Sequence, residues 1–125
     1  MFNLRKRKTM DGIAKIHLKN GKLYNMTFSV LSVLANNLQL KEISDKSGTL
    51  LMLIRHEKIQ TYMDVSGIEN HLLLSFDDKK MFIGTTFCHS PLNKSFILAS
   101  QAKFAILIEL DDISFDPCEI ISLEI

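Results

Sequence analysis

The sequence predicts a single α+β domain, mainly antiparallel β-sheet of about seven to nine short strands with two helices. Three observations carry this. Short apolar or alternating runs such as Thr49–Ile54, His71–Phe76 and Met81–Phe87 are separated by turn residues. Two other stretches show helical spacing or a helix-start signal. Finally, 125 residues at 46% hydrophobic and 23% charged suit one core that needs no metal or disulfide staples.

The elements follow in chain order. Arg5-Lys6-Arg7-Lys8 is a run of like charge with little apolar material behind it, so residues 1–11 are expected to be a loosely held basic arm ahead of a globular domain over 12–125. Ala14, Ile16 and Leu18 alternate with Lys15, His17 and Lys19, the period of a half-buried strand. Asn20-Gly21 then offers a tight turn into Lys22-Leu23-Tyr24, because both residues accept positive φ. Leu31, Leu34, Ala35 and Leu38 recur at the spacing of one helix face, with Thr27 or Ser29 to cap the start and Asn36-Asn37 to end it.

Five runs follow: Leu38–Ile43, Thr49–Ile54, Ile59–Val65, His71–Phe76 and Met81–Phe87. Their spacing predicts an antiparallel meander. Ser90-Pro91 reads as the start of the second helix, with Leu92, Phe96 and Ala99 on its buried face. Ala102–Leu110 is apolar enough for a central strand, and Glu119–Ile125 is expected to close the sheet near it. Leu31, Leu34, Leu98, Ile106 and Ile108 are the expected core.

The order contains a β-α-β-β internal echo. In that pattern the chain resembles sliding-clamp domains, with Ile16–Asn37 as the first strand and helix and Ser90–Leu110 as the second helix and its next strand. It departs from them in charge: the first helix has no lysine or arginine after Lys22 and the second has only Lys94, so a DNA-encircling role is not expected.

No catalytic, metal or cofactor site is expected from local sequence. The five glycines are isolated and form no phosphate-binding loop. His17, His56, His71 and His89 lack the close spacing of a local metal site. Cys88 and Cys118 are expected to be reduced and structural. Adjacent residues on a strand point to opposite faces, so Cys88 could pair only with a histidine other than His89. Asp77-Asp78 and Asp111-Asp112 sit at apparent strand ends, where carboxylates commonly serve solvation and turn hydrogen bonds.

Charge is the most informative feature. Residues 1–22 hold seven bases against Asp11 alone, a balance of +6, so the remainder carries −5 within a total of +1. From Glu109 onward there are six acids and no base. These features predict a small non-catalytic protein-interaction domain, a binding, inhibitory or accessory factor whose partner is another protein or a second copy. One alternative is a nucleic-acid-associated accessory factor that uses Arg5, Lys6, Arg7, Lys8, Lys15, Lys19 and Lys22. Another is an enzyme whose site is assembled from distant residues. With no stretch apolar enough to span a bilayer as a helix, a cytoplasmic location is expected.

Overall fold

The computed structural model describes residues 10–34, 37–40, 49–54, 60–89 and 95–125; within 10–12, 26–34, 37–39, 49 and 51–54 it describes the backbone alone. Ten strands are present among them: β1 (Met10–Leu18), β2 (Leu23–Leu34), β3 (Asn37–Gln39), β4 (Thr49–Ile54), β5 (Tyr62–Asp64), β6 (His71–Phe76), β7 (Phe82–Cys88), β8 (Ser95–Ile97), β9 (Phe104–Glu109) and β10 (Ile120–Glu124). Seven form one sheet in the order β10-β1-β2-β4-β9-β6-β7, and the other three form a small sheet in the order β3-β5-β8. Pairing is antiparallel except for β2–β4 and β3–β5.

The β1–β2 hairpin forms where its turn chemistry places it. Gly21 sits at φ 81, and the Leu18 N–H donates to the Lys22 carbonyl at 3.0 Å. At the other hairpin, β6–β7, Asp77 organises the turn, its Oδ1 accepting from the N–H groups of Lys79 and Met81 at 2.9 Å each.

The first expected helix is not formed; its leading half is the long strand β2. A continuous apolar run satisfies helical spacing and a fully paired strand equally, so periodicity alone cannot separate them. Pairing decides here, because β2 bonds to β1 on one side and β4 on the other, and its Val30 and Val33 suit a strand. Residues 90–94, where the second helix was expected to begin, lie outside the described residues, and Ser95–Ile97 is strand β8. The α+β class with two helices and its β-α-β-β echo is therefore not confirmed. The described residues are mostly antiparallel sheet, with short 3-10 turns at Leu110–Asp112 and Pro117–Glu119.

Two further expectations are corrected. The middle strands are no meander: β4 pairs with β2 and β9, and β5 leaves for the small sheet. β9 is central as expected, lying between β4 and β6, but β10 does not pair beside it. It bonds to β1 at the far end of the order, with Lys15 opposite Glu124 and Ile16 opposite Leu123. The sheet then curls until its outer strands touch. Met81 bridges Ser122, and the Leu123 N–H donates to the Lys80 carbonyl at 2.8 Å. β1 itself starts at Met10, so Met10 and Asp11 belong to the strand and not to the arm.

Two cores lie on opposite faces of the large sheet. The inner one gathers Ala14, Ile16, Leu50, Leu72, Leu74, Phe76, Ile106, Ile108, Ile120 and Leu123. The outer one packs Leu73, Cys88, Ala105 and Leu107 against Met63, Val65, Ile68 and Leu98 from around the small sheet. Leu98, Ile106 and Ile108 are buried as expected, whereas the side chains of Leu31 and Leu34 lie outside the described residues.

Ile106 is fully buried between Leu50 on β4 and Leu74 on β6, its register partners. Ile106→Ala should destabilise the fold by about 2–5 kcal/mol. In urea unfolding this appears as a lower midpoint with an unchanged slope, while the half-exposed Ile121→Ala should shift the midpoint by less than about 1 kcal/mol equivalent.

Candidate functional site

The basic residues singled out from the sequence do not gather into one face among the described residues. Arg5, Lys6, Arg7 and Lys8 lie outside them. Lys15 is half-buried on β1, and its Nζ lies 3.7 Å from Glu124 Oε2 across the strand pair. His17 Nε2 meets the other oxygen of Glu124 at 3.2 Å. Lys19 and Lys22 are exposed at the hairpin, and the Lys19 N–H donates to the Glu119 carbonyl at 2.8 Å. The acidic C-terminal stretch therefore runs past the turn end of this hairpin. There Tyr24 packs against Phe115 with the rings tilted, centroids 4.6 Å apart, and donates its hydroxyl to the Asp112 carbonyl at 2.9 Å.

A second set of reactive residue types meets across three strands. His71 on β6 stands opposite Cys88 on β7 and opposite Glu109 on β9. Opposite residues share a face, so thiol, imidazole and carboxylate form one row. Sequence reasoning paired Cys88 with no histidine, because register between distant strands leaves no local signal. The row is not poised for nucleophilic chemistry. His71 Nδ1 lies 2.7 Å from the Glu69 carbonyl, which can only accept, so Nδ1 carries the proton. Nε2 is buried without a hydrogen-bond partner among the described residues, 4.0 Å from Glu109 Oε1.

Cys88 is fully buried, and its Sγ is 3.7 Å from the Thr86 carbonyl. Desolvation pushes its thiol pKa up to about 12, so the nucleophilic thiolate is scarce near neutrality. Cys118 is exposed, and both cysteines are free. His89 turns away from this row: it stacks on Phe87 at 5.7 Å, and its Nδ1 accepts from the Asn70 N–H at 3.3 Å. Among the described residues, no three His, Cys, Asp or Glu side chains are grouped to hold a metal ion.

The third feature is a cleft of about 220 Å³ lined by Ser75, Ile83, Gly84, Thr85, Thr86, Ile97, Leu98 and Ala99. No lining residue is charged. Residues from both faces of β7 contribute, so the cleft takes in the outer edge of that strand. Among the described residues β7 ends the large sheet, and β8 ends the small one. Two sheet edges therefore border the same space. Large apolar side chains are exposed around it: Ile83 at 38%, Ile97 at 52%, and Tyr62, the register partner of Ile97, at 46%. A Cβ built on Gly84 meets nothing within 4 Å, so the wall is lowest there. Sequence analysis missed this feature because it depends on which strand ends the sheet.

Burial of Cys88 makes a testable difference between the two thiols. A thiol reagent at pH 8 should label one cysteine per native chain, Cys118, and reach the second only on unfolding. Equal labelling rates for both would contradict the described burial. The Glu124 carboxyl is held below the usual glutamate range, chiefly by the His17 hydrogen bond and next by the Lys15 charge. A lowered folded pKa favours folding above the ordinary glutamate value of about 4.3, and that advantage is lost as pH falls through the lower folded value. Glu124→Gln should therefore remove a small part of the melting-temperature loss between neutral pH and pH 3.

No known protein family matches the chain, and neither does any curated protein. In its fold the chain is similar to the crystal structure of a protein of unknown function from Novosphingobium aromaticivorans DSM 12444, at 8% sequence identity and a TM-score of 0.55. The likeness covers 92% of this chain and 85% of that one, and at such identity it speaks for the fold alone.

Proposed function

We propose that this protein is a non-catalytic interaction domain that holds an extended segment of polypeptide along the open edge of β7. The observation that carries this reading is the uncharged cleft over that edge, with Gly84 at its lowest point. An edge strand presents a row of backbone N–H and C=O groups, and an added strand is the ligand whose own backbone matches them. Ile83 and Ile97 then supply apolar contact on either side. At about 220 Å³ the cleft is below the usual range of roughly 300–1,000 Å³ for small-molecule pockets. A strand that lies mostly outside it fits better than an enclosed ligand.

Two observations weigh against the other readings. The Cys88–His71–Glu109 row keeps its thiol buried and protonated, which favours a structural role over a catalytic one. Lys15 shares Glu124 with His17, and the acidic stretch beside the hairpin would repel phosphate, which disfavours nucleic acid as the partner of this face.

The test is selection from a displayed library of random decapeptides, followed by titration of the winners. Uncharged peptides rich in β-branched residues should be enriched. Gly84→Val should weaken their binding by roughly tenfold or more, equivalent to about 1.4 kcal/mol. Because the space above Gly84 is empty and its φ is not positive, the same change should leave the melting temperature intact or raise it. Failure to enrich any peptide, or binding indifferent to Gly84→Val, would remove this reading.

A further inference from the structure

We infer that the cleft at Gly84 is a site for a phenol, the tyrosine side chain of the segment that this protein holds. The inference rests on the reading of that cleft as the interaction surface, and it names the residue by which a partner is anchored.

The cleft exists because one side chain is missing. Ser75 on β6 stands opposite Gly84 on β7, so the two share a face of the sheet. A larger residue at position 84 would stand beside Ser75 and fill the space; a Cβ built on Gly84 meets nothing within 4 Å. Ser75 is 5% exposed and lies at the floor, with Thr86 on the same face as Gly84. Ile97 and Leu98 line the cleft from the small-sheet side, and Ile83 lines it from β7.

Three properties of this lining select the occupant. No lining residue is charged, so a charged side chain would lose hydration there without gaining an ionic partner. At about 220 Å³ the cleft exceeds the roughly 150 Å³ that suffices for benzene in an engineered cavity, so it takes a substituted ring. A short aliphatic side chain would leave part of it without contacts. The lining also joins two chemistries, with apolar surface from Ile83, Ile97 and Leu98 and hydroxyls from Ser75, Thr85 and Thr86. A wholly apolar ring would displace solvent from those hydroxyls and return no hydrogen bond. Tyrosine carries an apolar ring with a hydroxyl at its far end that both donates and accepts, so it meets serine and threonine in either sense. Tryptophan offers a donor alone.

Both tyrosines of this chain already donate their hydroxyls within it, Tyr24 to the Asp112 carbonyl at 2.9 Å and Tyr62 to Gln60 Oε1 at 3.2 Å. The anchoring phenol therefore comes from a different protein.

Small probes test the site in the full chain. p-Cresol, toluene and 3-methylindole stand for the side chains of tyrosine, phenylalanine and tryptophan. Each is titrated, with nuclear magnetic resonance as the readout, into protein with isotope-labelled isoleucine methyl groups. p-Cresol should shift the signals of Ile83 and Ile97 and leave those of Ile16 and Ile106 in the inner core in place. It should bind about tenfold more tightly than toluene, the worth of one net hydrogen bond. Gly84→Val should abolish binding of all three probes. The paired change Ser75→Ala with Thr86→Val, which removes hydroxyls at little cost in bulk, should abolish the preference for p-cresol over toluene. In the selected decapeptides one tyrosine should recur, and phenylalanine in its place should weaken binding by a similar factor.

Toluene or 3-methylindole bound as tightly as p-cresol overturns the inference. So does a preference for p-cresol that survives the paired change, or the absence of any shift at Ile83 and Ile97. If decapeptides bind in a manner sensitive to Gly84→Val but without tyrosine, the anchor fails while the interaction-domain reading stands. If no decapeptide is enriched while p-cresol binds with the expected preference, the strand reading fails and the phenol site stands.

Discussion

Everything in this fold leans on β6 being buried on both faces. All six residues from His71 to Phe76 are buried, and all but His71 and Ser75 are apolar. Leu72, Leu74 and Phe76 point into the inner core, while Leu73 belongs to the outer one beneath the small sheet. Its neighbour β9 divides in the same way, with Ile106 and Ile108 inward and Ala105 and Leu107 outward. These two strands are a wall shared by both cores. A slip of one residue in their register would exchange the two sets of side chains, placing Ser75 in the inner core and Leu74 under the small sheet. The precision of that register also creates the Cys88–His71–Glu109 row, which follows from alignment and not from any local motif.

The open edge has an equally specific origin. β7 and β10 meet at Met81 and Ser122, so the large sheet begins to close on itself. It does not continue closing, because β10 starts only at Ile120. Just before it, Asp116 accepts the Cys118 N–H at 2.9 Å and Pro117 opens a 3-10 turn, which directs the chain away from the ladder. Proline lacks the N–H that a further rung needs. Where the ladder stops beside β7 is therefore set by residues of another strand's lead-in as much as by β7 itself.

Sequence reading located strands well wherever the local signal was sufficient. Thr49–Ile54 and His71–Phe76 match β4 and β6 residue for residue, and Ala14–Leu18 lies within β1. The Asn20-Gly21 turn and the role of Asp77 were legible because turn chemistry acts over a few residues. β2 was not, since Leu31 and Leu34 satisfy a helical period that only the β1 and β4 partners override. The adjacency of the basic first strand to the acidic last one could be anticipated from charge, and Lys15 opposite Glu124 realises it. Which strand would end the sheet, and hence where the cleft lies, depends on long-range pairing that no window of sequence contains.

The pairing of β1 with β10 joins the first of the described strands to the last of them. On the ribosome β1 emerges about a hundred residues before its outer neighbour, a wait of roughly 5–20 s at ordinary elongation rates. Throughout that interval the outer backbone edge of β1 has no partner of its own. A product cut short before Ile120 never acquires one, and among the described residues the outer edge of β1 would stay unpaired. An unpaired edge of that length is a template on which a strand of another chain can add. The final strand thus acts as a stopper against polymerisation as well as a piece of the core.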